Sequence, residues 1–177
     1  MIGAVYSFAI GMVIGSFLNV CIYRLPRELS LIAPGSQCPK CAHALRWRDL
    51  VPLLSFIFLV GRCRDCGSRV GWRYPLVEAL TGLVFAAGYL RFGLSYELVA
   101  DLFLICPLLV ASAVDIESGQ IPDAVSVFLL ISGIGLSLTH GVSGLSEALL
   151  GGAVGGGMLF TWISTCFAGK QAFGVSI

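Results

Sequence analysis

Residues 2–23 read IGAVYSFAIGMVIGSFLNVCIY, and Arg24 and Arg27 follow at once. A helix needs about 20 consecutive apolar residues to cross a bilayer core, and this stretch supplies them without a charge. It is too long for the core of a signal peptide. It also lacks the basic start and the small-x-small cleavage site of one. The stretch therefore predicts a first membrane span. Because the basic residues come after it, the positive-inside rule places the N-terminus outside and the following segment in the cytoplasm.

The rest of the chain agrees with a membrane protein. Of its 177 residues, 57% are hydrophobic and 12% charged, with a mean hydropathy of +0.92. A soluble domain carries about a quarter charged residues. Nine of the eleven Lys and Arg residues lie between Arg24 and Arg73, leaving only Arg91 and Lys170 elsewhere. One basic segment is thus set into an otherwise apolar chain. Further spans are expected at about 75–93, 96–115, 124–140 and 145–168. With five spans, 116–122 and 169–177 fall on the same side as 24–73, and Arg91 stands against the charge rule on the outer side. VPLLSFIFLV (51–60) is too short to cross and reads as core or interfacial packing of the basic segment. The glycine-rich GGAVGGG (151–157) reads as close helix packing. The expected divisions are a first helix (1–23), a cytoplasmic module (24–73) and a membrane part (74–177).

Within the basic segment stand CPKC (38–41) and CRDC (63–66), with 21 residues between them. Two C-x2-C knuckles at this separation fit a tetrahedral zinc site with Cys38, Cys41, Cys63 and Cys66 as ligands. Surrounding basic residues favour the thiolate forms. Two disulfides would use the same residues, but the charge rule places them in a reducing compartment. Four thiolates leave no open position, so the metal would be structural. Cys21, Cys106 and Cys166 fall within spans and read as small apolar residues. His43 is not needed as a ligand.

A second informative stretch is ASAVDIESGQIPD (111–123). Asp115 ends a nearly uncharged span with no Lys or Arg next to it. An ionisable group so placed is a functional candidate, and partial burial would suit it to proton exchange. The plainer alternative is an interfacial acid that reaches water. Pro122 suits a helix start, and Asp123 then falls in a first turn, where the helix dipole favours an acid. Glu78 is expected to pair with Arg73, about a turn before it. Asp101 is expected near the outer end of its span, where water can solvate it.

Together these residues resemble the bacterial prepilin peptidases, the bifunctional leader peptidases and N-methyltransferases of type IV pilus, type II secretion and competence systems. GSFLNVCIYRLP (15–26), CPKC…CRDC, RYPLVE (73–78) and VDIESGQIPD (114–123) occur in the family's order. The resemblance covers nearly the whole chain. It implies an intramembrane aspartic endopeptidase that cuts prepilins or pseudopilins after the glycine of their leader, on the cytoplasmic side. It also implies methylation of the new N-terminus by S-adenosylmethionine. Two aspartates share the hydrolysis, one as base towards water and the other, protonated, polarising the scissile carbonyl. Asp115 matches the first. The second belongs to a Gly-x-Gly-Asp motif, of which Gly174 and Val175 fit the first two positions. Ser176 and Ile177 stand where its second glycine and its aspartate are expected. A chain truncated at this motif is expected to be peptidase-inactive.

The resulting expectation is an all-α polytopic protein of the bacterial inner membrane. It has about five spans, structural zinc in a cytoplasmic loop, prepilins and lipid as partners, and no nucleic acid. Two other readings stay open: a non-catalytic membrane remnant that binds zinc and pilin segments, and a methyltransferase without peptidase activity. A zinc-ribbon redox or scaffold protein would account for the cysteines but not for Asp115 or the Ile-Pro-Asp turn.

Overall fold

The computed structural model describes residues 1–38, 40–119, 123–139, 146–147, 149–154 and 157. They form two compact units, 1–129 and 130–177. The first contains α1 (Ile2–Arg24), a short α2 (Leu54–Phe58), α3 (Arg73–Phe92), α4 (Tyr96–Ser118) and the start of α5 (Asp123–Thr139). The described residues contain no strand, only two isolated antiparallel bridges, Gln37–Ala44 and Arg62–Arg69. Of the second unit, 130–139 complete α5 and 149–154 are helical.

Three helices are long and apolar enough to cross a membrane. These are Ile2–Arg27 (α1 with the 3-10 turn that extends it), Arg73–Phe92 and Tyr96–Ser118. The fourth expected span is a helix, α5, of 17 residues. The fifth, 145–168, lies mostly outside the described residues. Large apolar side chains face outward at Ile2, Tyr6, Ile10, Val13 and Phe17 on α1, and at Leu76, Leu80 and Leu83 on α3. A soluble protein seldom exposes so continuous an apolar surface, whereas lipid is the natural neighbour for it. The chain is an integral membrane protein.

The opposite face of α1 carries small residues and packs on α3. A Cβ placed on Gly11 would meet Phe85 Cβ at 2.7 Å and the Thr81 carbonyl at 2.8 Å; one on Gly15 would meet Glu78 Cα at 2.9 Å. Ser7 Oγ donates to the Phe85 carbonyl (2.9 Å), and Asn19 Nδ2 to that of Tyr74 (3.0 Å). Positions advance along α1 as they recede along α3, so the two helices are antiparallel. With no water to drive association, such close backbone approach and interhelical hydrogen bonds hold spans together. Gly11 and Gly15 thus provide close helix packing in the first unit. Gly151, Gly152 and Gly157 have no neighbour among the described residues within 4 Å of a Cβ position.

Three residues, 93–95, join α3 to α4, so these helices are also antiparallel. Ser95 caps α4, its Oγ accepting the Leu98 N–H at 3.3 Å. Pro107 lies inside α4, which membrane helices tolerate when neighbours satisfy the freed carbonyl. Near the end of α1, Leu18, Cys21 and Ile22 pack with Val110, Ala111 and Val114 of α4 and Val125 of α5. This cluster sets the C-terminal ends of α1 and α4 side by side. Segment 25–72 and the last turn of α4 consequently lie at one end of the bundle.

Candidate functional site

Segment 25–72 is held by backbone turn hydrogen bonds and by a few side-chain bonds that reach across it. The Arg24 guanidinium donates to the carbonyls of Ser30 (2.7 Å), Pro34 and Gly35 (3.2 Å), folding the chain back on the end of α1. Asp49, its carboxylate nearly buried, takes two N–H bonds from Arg64, at 3.0 and 2.7 Å. Arg64 holds the Asp49 carboxyl below the usual range, chiefly through these hydrogen bonds.

The two knuckles share one design. Cys38 N–H bonds to His43 O (3.0 Å) and Ala42 N–H to Cys38 O (2.9 Å). Cys63 N–H bonds likewise to Ser68 O (2.8 Å) and Gly67 N–H to Cys63 O (3.0 Å). Both turns need a left-handed residue after the second cysteine, Ala42 at φ 56° and Gly67 at φ 67°. Cys38 and Cys63 are buried; Cys41 and Cys66 are exposed. The four Sγ atoms lie within 4.8 Å of one another, with Cys38 and Cys66 at 3.8 Å. Sulfurs bound tetrahedrally at about 2.3 Å from one zinc stand about 3.8 Å apart. The donor set therefore fits a metal ion. Backbone N–H groups of Cys41 and then Lys40 pull the Cys38 thiol down to about 6, and Ser68 lowers that of Cys66. Both effects favour the thiolate that binds metal. His43 stays outside the set, its ring 3.8 Å from Asp65.

Asp115 lies in the last turn of α4, where its carbonyl accepts the N–H of the capping Gly119 at 2.8 Å (φ 65°). Its side chain is exposed, as the alternative of an acid that reaches water has it, and not partly buried. The cause is position: the inward face of this turn belongs to Val114, and Asp115 comes one residue further round. Glu78 does not pair with Arg73. It turns inward, is buried, and accepts the Leu53 N–H at 2.9 Å and a hydrogen bond from Ser16. Arg73 points the other way, across to Glu117 of α4, and lies over the Tyr74 ring. Position 78 is a little over one turn on from 73, which puts the two side chains on different faces. Asn19 is a further polar group that sequence reasoning passed over, buried in the first span. An amide amid uncharged apolar residues was the available signal. The position of the second aspartate, Ile177, lies outside the described residues, as does Cys166.

Spanning helices, a 25–72 segment between the first two of them and a cysteine cluster whose geometry fits a metal ion define a polytopic membrane protein with an inserted module. Comparison with known proteins makes this specific. The bacterial peptidase A24 N-terminal domain matches residues 9–92, and the type IV leader peptidase family matches 102–175. The chain is 44% identical over 152 residues to the prepilin leader peptidase/N-methyltransferase of Myxococcus xanthus, covering 86% of this chain and 45% of that protein. It is 37% identical over 178 residues to the protein of that name from Klebsiella pneumoniae, covering 96% and 78%. A third, from Bacillus subtilis, is 37% identical over 148 residues, covering 84% and 60%. The chain belongs to the type IV leader peptidase family. It spans less than two thirds of the first and third of these relatives. No solved structure gives a significant match.

Proposed function

We propose that this chain carries the first catalytic aspartate, the metal module and the methyl-transfer region of a prepilin leader peptidase/N-methyltransferase. The observation behind this reading is the placement of Asp115. An exposed carboxylate ends a spanning helix at the same end of the bundle as the cysteine module, where a substrate emerging from the bilayer would meet both. Its side chain has no hydrogen bond or ion pair among the described residues, so it is available to a water or a substrate carbonyl. In the proposed hydrolysis, water adds to the scissile carbonyl and loses a proton to one carboxylate. The other, protonated, donates to the carbonyl oxygen. The amide C–N bond then breaks and the leaving amine takes up a proton. Two neighbouring carboxylates divide these roles because they cannot both be ionised cheaply.

Zinc held by Cys38, Cys41, Cys63 and Cys66 ties the two knuckles together and takes no part in the bond changes. S-adenosylmethionine, when bound, supplies the methyl group for the new N-terminus. The membrane arrangement in this reading has five spans, divided at 1–23, 24–73 and 74–177, with the N-terminus outside and the module in the cytoplasm.

The test is the mobility of a co-expressed prepilin. Ser176 and Ile177 stand where the resemblance expects glycine and aspartate, and isoleucine moves no proton. A polypeptide of these 177 residues alone is therefore expected to leave prepilin uncut. Ser176→Gly with Ile177→Asp, continued by further apolar spans, is expected to cleave. Asp115→Asn in that extended protein should then cost at least about 10²–10⁴-fold, the usual contribution of a positioned acid or base. Full cleavage by the 177-residue polypeptide, or by the extended Asp115→Asn protein, would overturn the assignment.

A further inference from the structure

A cavity of about 560 Å³ opens between the C-terminal end of α1, the start of α3 and the cysteine module. Its size falls within the range of small-molecule and cofactor sites. Two of its wall residues are buried polar groups with unused acceptor capacity. Asn19 is 2% exposed. Its Nδ2 is committed to the Tyr74 carbonyl, which leaves Oδ1 as a buried acceptor with no hydrogen-bond partner. Glu78 is 8% exposed and receives the Leu53 N–H and the Ser16 hydroxyl. A carboxylate has about four acceptor sites, so capacity remains. An unfilled acceptor costs about 1–3 kcal/mol when buried, so a partner that donates is implied. Arg62 and Arg69, beside the second knuckle, and the rings of Phe56 and Tyr74 also line the cavity.

We infer that this cavity is the seat of the methyl donor, S-adenosylmethionine. The assignment rests on the methyltransferase reading above. Asn19 Oδ1 and Glu78 would receive the α-ammonium group, Arg62 or Arg69 the carboxylate, and Phe56 or Tyr74 would lie against the adenine. The lining holds both acceptors and cations, as a zwitterionic amino acid requires, and flat rings complete the match to an adenosyl group.

The test is calorimetric titration of the purified full chain, in detergent, with S-adenosylmethionine and with 5′-methylthioadenosine, which lacks the amino-acid part. Both are expected to bind. Glu78→Gln and Asn19→Leu should each weaken S-adenosylmethionine roughly tenfold or more, the size expected for losing a hydrogen bond to a charged group. Neither should move 5′-methylthioadenosine by more than about twofold. Variants that bind S-adenosylmethionine like the parent would overturn the location and leave the methyltransferase reading standing. A parent chain that binds neither compound would remove both. Should a variant lose its metal or its helical circular dichroism, photolabelling of the parent with 8-azido-S-adenosylmethionine decides. Label on peptides holding Phe56 or Tyr74 supports the site, and label confined elsewhere rejects it.

Discussion

Ala42 and Gly67 occupy the same place in two copies of one turn, yet only one of them is suited to it. A left-handed backbone costs a residue with a Cβ about 1–2 kcal/mol relative to glycine. Nothing lies within 4 Å of a Cβ on Gly67, so Gly67→Ala tests the backbone cost alone. It is expected to destabilise the module by about 1 kcal/mol, read as a lower denaturant midpoint for metal release. Ala42→Gly should shift that midpoint the other way by less, because glycine also loosens the unfolded chain. The metal itself is checked by elemental analysis. One zinc per chain is expected, and Cys63→Ser, which removes a buried ligand, should release it and loosen the fold of 36–70. At this scale much was legible beforehand. Spacing alone identified the four sulfurs, since a knuckle is a local object. The partners of Glu78 and Arg73 were not legible, because each lies far off in the chain, 25 residues away at Leu53 and 44 at Glu117.

Helix α1 is read correctly as a span from its composition, but composition does not say which face meets another helix. Gly11 and Gly15, with Leu18, Asn19 and Ile22 beyond them, form the inward face, and the outward stripe runs from Ile2 to Phe17. The four-residue spacing of GMVIG (11–15) is the pattern that permits close helix approach, and it was present in the sequence to be used. Gly15→Leu should force α1 away from the α3 backbone at Glu78. It is expected to cost about 1–3 kcal/mol, the usual penalty of overpacking. Unfolding of the protein by a denaturing detergent checks this, and an unchanged midpoint would contradict the packing. Segment 51–60 holds a similar lesson. Its one short helix leaves Ile57, Phe58 and Val60 outward and turns Phe56 onto Trp72, with ring centroids 5.0 Å apart. The segment thus packs in part within the module and in part presents apolar side chains outward, and its five-residue helix is far too short to cross a bilayer.

For the molecule as a whole, the basic segment and the Asp115 turn share one end, and the charge rule predicts that this end faces the cytoplasm. Reporter fusions after Arg73 and after Gly119 are both expected to behave as cytoplasmic. An external signal from either would overturn the orientation and place the proposed chemistry on the wrong side of the bilayer. Of the five expected spans, three helices, α1, α3 and α4, are long and apolar enough to cross a membrane, α5 is a shorter apolar helix, and the fifth lies mostly outside the described residues. Helices α3 and α4 carry one more consequence. Residues 93–95 tie them at one end, and the Arg73–Glu117 ion pair clasps them at the other. A connection so short cannot let one helix settle in the lipid while its partner waits in water. The two are therefore expected to enter the bilayer during biosynthesis as a single hairpin. Arg91 would ride across in that step, and Arg73 would gain its counter-charge only once the whole of α4 has left the ribosome.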